Sequence, residues 1–273
     1  PRPAAARLPP ASRAATASGR PASAAFLSAG FPPRSGCADV VRAVAAEADL
    51  LELGVPFSDP LADGLTIQRS SRVALEGGVS LPWIVDLVAE VNESQHAANE
   101  TDTPILLMSY MNPLLAYGLS RLATDAAAAG VAGLIVPDLP LEESDELRAE
   151  LDPAGMALVQ LVTPATPPER LERVCGASGG FVYAVTMKGT TGTRVDAEGA
   201  AGYLERVRRA SRLPVLAGFG VRKPEDVRSL GSHADGVIVG SAIVEAQEEG
   251  RDAAAFVRSL RVAGKRNSAQ GVS

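Results

Sequence analysis

Short apolar runs of β type alternate along the chain with longer stretches whose apolar positions recur at helical spacing. The runs are Ala25–Leu27, Leu50–Leu53, Pro104–Met108, Gly133–Val136, Ala157–Leu161, Phe181–Val185, Pro214–Ala217 and Gly236–Val239. Amphipathic stretches separate them at 38–47, 66–76 with 81–92, 119–129, 144–151, 168–174, 197–210, 224–230 and 241–261. Strand and helix in strict alternation predict parallel strands joined by right-handed crossovers. Eight such units predict the α/β class and a single closed (β/α)8 TIM barrel over residues 25–262. A doubly wound open sheet is the alternative, but no Gly-x-Gly-x-x-Gly follows the first strand. The 273 residues suit one barrel, whose usual size is ~250 residues.

The ends read differently. Residues 1–24 are rich in Ala, Pro, Ser and Arg and carry no acidic residue, so they predict a disordered leader unable to build a core. Arg2, Arg7, Arg13 and Arg20 in that setting also resemble an organellar transit peptide. Residues 263–273 read as a polar tail.

Charge narrows the partners. A net charge of -6 argues against nucleic acid or an anionic membrane. It does not forbid an anionic substrate, because a local pocket of backbone amides can outweigh the global sign. Cys37 and Cys175 lie far apart with no motif around them, so neither a disulfide framework nor a zinc site is expected. A reducing, cytoplasmic setting fits. His96 and His233 lie in or beside polar segments and draw no catalytic role. No apolar run reaches the ~18 residues of a membrane span.

The second run ends Leu50-Leu51-Glu52-Leu53-Gly54. Strand side chains alternate faces, so Leu51 and Leu53 share one face and Glu52 takes the other. The helix layer wants the leucines, which points Glu52 into the barrel mouth, where active sites of such barrels lie. A carboxylate there is costly unless paired or protonated. The plain alternative is an ion pair, yet none of the other predicted strands carries Lys or Arg. Burial is therefore expected to raise the pKa of Glu52 and suit it to acid–base work near neutral pH. In the loop that follows, Asp59 and Asp63 stand four apart; either could cap the helix near Thr66, and a metal would need more ligands than the segment offers.

Glycine-rich loops follow the last three strands: Lys188–Arg194, Gly218-Phe219-Gly220, and Gly240-Ser241 opening a helix. Glycines after the seventh and eighth strands, with a helix N-terminus, make the usual phosphate cradle of these barrels.

With these residues in place, the chain resembles the tryptophan synthase alpha subunit family. The resemblance rests on Leu51-Glu-Leu-Gly-Val-Pro-Phe-Ser-Asp-Pro-Leu-Ala-Asp-Gly64 with Thr66-Ile-Gln68 behind it. In order along the chain it is supported by Phe26, Met108-Ser-Tyr-Met-Asn-Pro113, Gly133–Pro140, Gly189-Thr-Thr-Gly192, Gly218-Phe-Gly220 and Gly240–Val244. It implies retro-aldol cleavage of indole-3-glycerol phosphate to indole and glyceraldehyde 3-phosphate, with no metal or organic cofactor. It further implies Glu52 as the acid–base group and Asp63 as acceptor of the indole N–H. Phe26, Tyr183 and Thr191 match pocket and loop residues, and Gly192, Gly220, Gly240 and Ser241 match the phosphate cradle. Pro56, Asp59, Tyr110 and Asn112 match surfaces that meet a beta subunit in an alpha2beta2 assembly. Three departures stand out: Leu65 where the family usually has proline, Arg69 in place of a small or neutral residue, and no helix expected before the first strand. The rival readings are a stand-alone lyase releasing free indole, a catalytically weak regulatory subunit, and another phosphosugar barrel such as an isomerase.

Overall fold

The computed structural model describes residues 5, 8–97, 103–188, 193–194, 197–218 and 220–261. Eight parallel strands close into a barrel. They are β1 (Ala22–Ser28), β2 (Leu50–Gly54), β3 (Ile105–Met108), β4 (Gly133–Ile135), β5 (Ala157–Val162), β6 (Val182–Val185), β9 (Val215–Gly218) and β10 (Gly236–Val239). Two short antiparallel strands, β7 (Met187–Lys188) and β8 (Thr193–Arg194), form a separate hairpin in the loop between β6 and β9. All eight predicted strands are present, with ends shifted by a few residues. The barrel closes by pairing of β1 with both β2 and β10.

The leucine–glutamate alternation of β2 sorts as expected. Leu51 and Leu53 belong to the core between barrel and helices, while Leu50 packs inside the barrel with Leu106, Phe181 and Leu216. The outer core is built with α2 (Cys37–Ala45), α3 (Leu65–Glu76), α4 (Leu81–Ala97), α5 (Met111–Tyr117), α6 (Leu119–Ala128) and α7 (Asp145–Leu151) on one side. Round the rest lie α8 (Pro168–Ala177), α9 (Ala197–Ala210), α10 (Pro224–Gly231), α11 (Ser241–Glu248) and α12 (Ala253–Leu260). The stretch 241–261 is thus two helices rather than one. Gly250, at φ +71°, and the Asp252 cap, which accepts from the N–H groups of Ala254 and Ala255, stop one helix and start the next.

Residues before β1 correct an expectation. Leu8–Ala17 form a helix, α1, where the sequence reads as a disordered leader with no helix. Leu8 is fully buried and joins Ala24, Leu50 and Phe181 in the barrel interior, at the ends where the strands start. One leucine fills that floor, so a low count of large apolar residues did not reveal it. Pro9 and Pro10 fall in the first turn, where N–H groups have no intrahelical partner. Arg20, paired with Asp49 at 2.6 Å, ties the chain between α1 and β1 to the barrel. The polar tail 263–273 lies outside the described residues. Among the described residues no helix is long and apolar enough to cross a membrane.

Candidate active site

β2 carries Glu52 inward beside Phe26, its in-register neighbour on β1. The side chain is fully buried and lines a cavity at the barrel mouth. Neither carboxyl oxygen has a hydrogen-bond partner among the described residues. The ion pair that would make Glu52 merely structural is therefore missing there. Burial alone lifts its pKa to about 8, so the group is protonated at neutral pH.

Asp63 enters the same cavity from the β2–α3 loop. Gln68 Nε2 donates to the Asp63 carbonyl at 2.8 Å, and further contacts hold the loop at its base and tip. Ser71 Oγ accepts from the Phe57 N–H at 2.8 Å, and the Tyr110 hydroxyl accepts from the Ala62 N–H at 2.8 Å. The Tyr110 hydroxyl also hydrogen-bonds the Asp63 carboxylate, and its ring packs on Phe57 at 5.3 Å. Burial raises the Asp63 pKa to about 6, while the Tyr110 bond pulls it down. Asp63 is thus ionised at neutral pH where Glu52 is not: two carboxyl groups whose surroundings separate their titrations, the pattern that assigns acid and base. Tyr183 faces both. Its hydroxyl is held well above the ordinary value by burial first, then by the charges of Glu52 and Asp63.

The cavity has a volume of about 1090 Å³. Apolar side chains dominate the lining, among them Phe26, Met108, Val159, Leu161 and Ile238, and Gly220, Gly240 and Ser241 line the same cavity. Gly220 sits at φ +86°, a conformation open to glycine and strained for other residues. Gly240 caps α11 at φ -122°, and a Cβ there would meet Phe26 at an ordinary 3.5 Å. Backbone conformation demands glycine at position 220, whereas the space at Gly240 would admit a Cβ. Backbone N–H groups at the start of α11 and the Ser241 hydroxyl can serve an anion.

Of the residues singled out in the sequence, Glu52, Asp63, Phe26, Tyr183, Gly220, Gly240 and Ser241 line this one cavity. Thr191 and Gly192 lie outside the described residues. Pro56 is buried at the base of the β2–α3 loop, whereas Asp59 and Asn112 are exposed. Tyr110 is placed differently from expectation: it is 5% exposed and turned toward Asp63, not out to the surface.

Two glycines act by making room. A Cβ on Gly54 would lie 2.5 Å from the Phe26 ring, and one on Gly218 would lie 2.6 Å from the Tyr183 ring. Gly218, read from sequence as part of the anion loop, thus seats an aromatic wall. Gln160 also lines the cavity as a buried polar side chain. Nothing in the sequence marked it, since it is one polar residue in an apolar strand.

Comparison with known proteins gives the family. The family model described as Tryptophan synthase alpha chain matches residues 13–270. The tryptophan synthase alpha chain of Roseiflexus castenholzii is 46% identical over 253 residues, covering 90% of this chain and 95% of that protein. The one from Nitratidesulfovibrio vulgaris strain DP4 is 44% identical, covering 93% and 98%. Among solved structures, Mycobacterium tuberculosis tryptophan synthase superposes with a TM-score of 0.86 at 36% identity, covering 95% of this chain and 98% of that one.

Proposed function

The chain belongs to the tryptophan synthase alpha chain family, a carbon–carbon lyase of tryptophan biosynthesis, and from that premise we propose that Glu52 and Asp63 carry its cleavage of indole-3-glycerol phosphate. The observation that supports this most is the buried, unpartnered Glu52 carboxyl facing one cavity with Asp63. A protonated Glu52 delivers its proton to indole C3. The resulting cation, with C2 double-bonded to the protonated nitrogen, can take up the electrons of the bond from C3 to the side chain. Glu52, now ionised, accepts the proton of the side-chain hydroxyl as that bond breaks. Indole and glyceraldehyde 3-phosphate result, and Glu52 regains its proton. Asp63 accepts from N1–H and stabilises the positive charge that develops there. The apolar wall suits the indole ring, and Tyr183 and Phe26 bound it. No step asks for a metal or an organic cofactor.

The pKa order gives a pH profile. Activity needs Asp63 ionised and Glu52 protonated. The kcat/KM of the free chain should rise through about pH 6 as Asp63 loses its proton and fall through about pH 8 as Glu52 does. A profile flat from pH 5 to 9 would contradict both assignments.

Gly220, Gly240 and Ser241 are assigned to the phosphate, as is Gly192 by the family resemblance alone. Gly220→Ala is expected to raise KM for the phosphorylated substrate by about tenfold, because its backbone geometry must change. Indole-3-glycerol, lacking the phosphate, should be poor from the start and insensitive to this change. Equal damage with both substrates would mean that Gly220 only shapes the turn.

The partner reading is a beta subunit in an alpha2beta2 assembly, met by the Pro56–Asp63 loop with Asn112 and, through the loop it holds, Tyr110. What supports it is an apolar surface on this face: Leu61, Leu65 and Leu115 are 81%, 73% and 51% exposed. A partner that covers Leu61 and Leu65 would hold the loop, and with it Asp63, more firmly. Mixing the purified chain with a beta subunit and following indole release should show a complex and faster cleavage. Brisk turnover by the lone chain, with neither complex nor activation, would favour the stand-alone lyase.

A further inference from the structure

Gly64 caps α3 with no side-chain hydrogen bond, and Leu65 supplies no fixed backbone angle at the first helical position. One local contact spans the start of α3, where Gln68 Nε2 donates to the Asp63 carbonyl at 2.8 Å. Contacts from α11 tie it to the rest of the barrel. Thr66 Oγ1 donates to Glu245 Oε1 at 3.1 Å, and Arg69 bonds Glu248 at 3.2 and 2.9 Å. Both acceptors sit on α11, the helix whose first residue is Ser241. Glu245 also receives both guanidinium nitrogens of Arg222 at 2.8 Å, and Arg222 stands two residues beyond Gly220. One carboxylate thus joins the loop after β9, the body of α11 and the start of α3. Its side chain is 25% exposed, less open to solvent than Glu248 or either arginine in this group. The Arg69–Glu248 pair is a second tether between α3 and α11, one that does not reach the β9–α10 loop.

We propose that Glu245 is a positioning residue that couples the phosphate end of the site to Asp63. An anion seated on Gly220, Gly240 and Ser241 orders the β9–α10 loop and the N-terminus of α11. Through Arg222 and Thr66, Glu245 passes that order to the start of α3 and so to the carboxylate that must meet the indole nitrogen. The coupling rests on the reading of Gly220, Gly240 and Ser241 as the phosphate end. It also accounts for Arg69, whose charge is spent within the chain on α11 rather than presented to a partner.

The test supplies the two halves of the substrate separately, as indole-3-glycerol and inorganic phosphate. With the wild-type chain, phosphate should raise kcat/KM for indole-3-glycerol roughly tenfold, within the usual range of coupling between sites. Glu245→Ala and Thr66→Val should each bind phosphate, measured by equilibrium dialysis, yet be activated less than about twofold. Their turnover of indole-3-glycerol without phosphate should stay within about threefold of the wild type, because the contacts of Ser71, Tyr110 and Gln68 still hold the loop, whereas a general loosening of the fold would lower it much further. Thr66→Val removes one hydroxyl contact and carries the test if Glu245→Ala does not fold. If phosphate does not bind the wild-type chain, the phosphate-end reading falls and the coupling with it. If phosphate binds without activating, the phosphate end stands and the coupling is overturned. Full activation of either variant overturns it as well.

Discussion

Glu52→Gln should leave a folded chain with a turnover reduced roughly 10²–10⁴-fold, the usual worth of a general acid–base group. Glutamine keeps the shape and removes the proton that the mechanism moves twice. Retention of more than about a tenth of the wild-type rate would rule out that role. A second readout needs no substrate. The folded pKa of about 8 lies above that of an exposed glutamate, so the folded chain holds a proton that the unfolded chain has lost between about pH 4.5 and 8. Stability must fall across that window as pH rises, because the folded state is increasingly made to bury a charge or hold a proton against the solution. Complete traverse corresponds to something on the order of 5 kcal/mol. Denaturant titrations at pH 5 and pH 8 should show the wild-type chain losing stability relative to Glu52→Gln. Parallel behaviour of the two chains would mean that Glu52 is solvated or paired in solution. Activity and stability then test one carboxyl by independent routes.

That Glu52 was legible at all follows from period-two alternation in a strand buried on both faces. Leu51 and Leu53 claimed the helix layer and left only one direction for the carboxyl. The strand count was legible for the same reason: each parallel strand is a short apolar run bounded by polar sequence. α1 and α5 were not. Leu8 earns its place through the cavity it fills under Phe181 and Leu50, a fact of tertiary structure. α5 is seven residues with a proline at its third position, too short to show a period, and Asp138 from the β4 loop supports its start by accepting from the Met111 N–H at 3.0 Å. Tyr110 is expected on a partner-facing surface by the family resemblance, not by any pattern around it. Its inward turn depends on Asp63 and Ala62, 47 and 48 positions away, and no local pattern encodes that. Gly218 shows the same limit: one glycine satisfies a turn, an anion loop or an aromatic wall, and only the position of Tyr183 decides.

Asp63→Asn should lower kcat roughly 10²–10³-fold and leave KM within about threefold of wild type. Asparagine can still accept a hydrogen bond from N1–H in the ground state, so substrate binding is largely kept. What it lacks is the negative charge that answers the cation formed when C3 is protonated, and that charge matters only as the transition state is approached. The rising limb near pH 6 should disappear with it, since the titrating group is gone. Tyr110→Phe supplies the comparison. It keeps the ring against Phe57 but removes the hydroxyl whose bond lowers the Asp63 pKa. The rising limb should therefore move to higher pH in Tyr110→Phe, with the plateau rate lowered less than in Asp63→Asn. Loss of the bond to the Ala62 N–H loosens the same loop, so a partner that covers Leu61 should restore part of that rate. A raised KM as the sole defect of Asp63→Asn would mean that the carboxylate only binds substrate. An unmoved limb in Tyr110→Phe would mean that the limb belongs to a group other than Asp63.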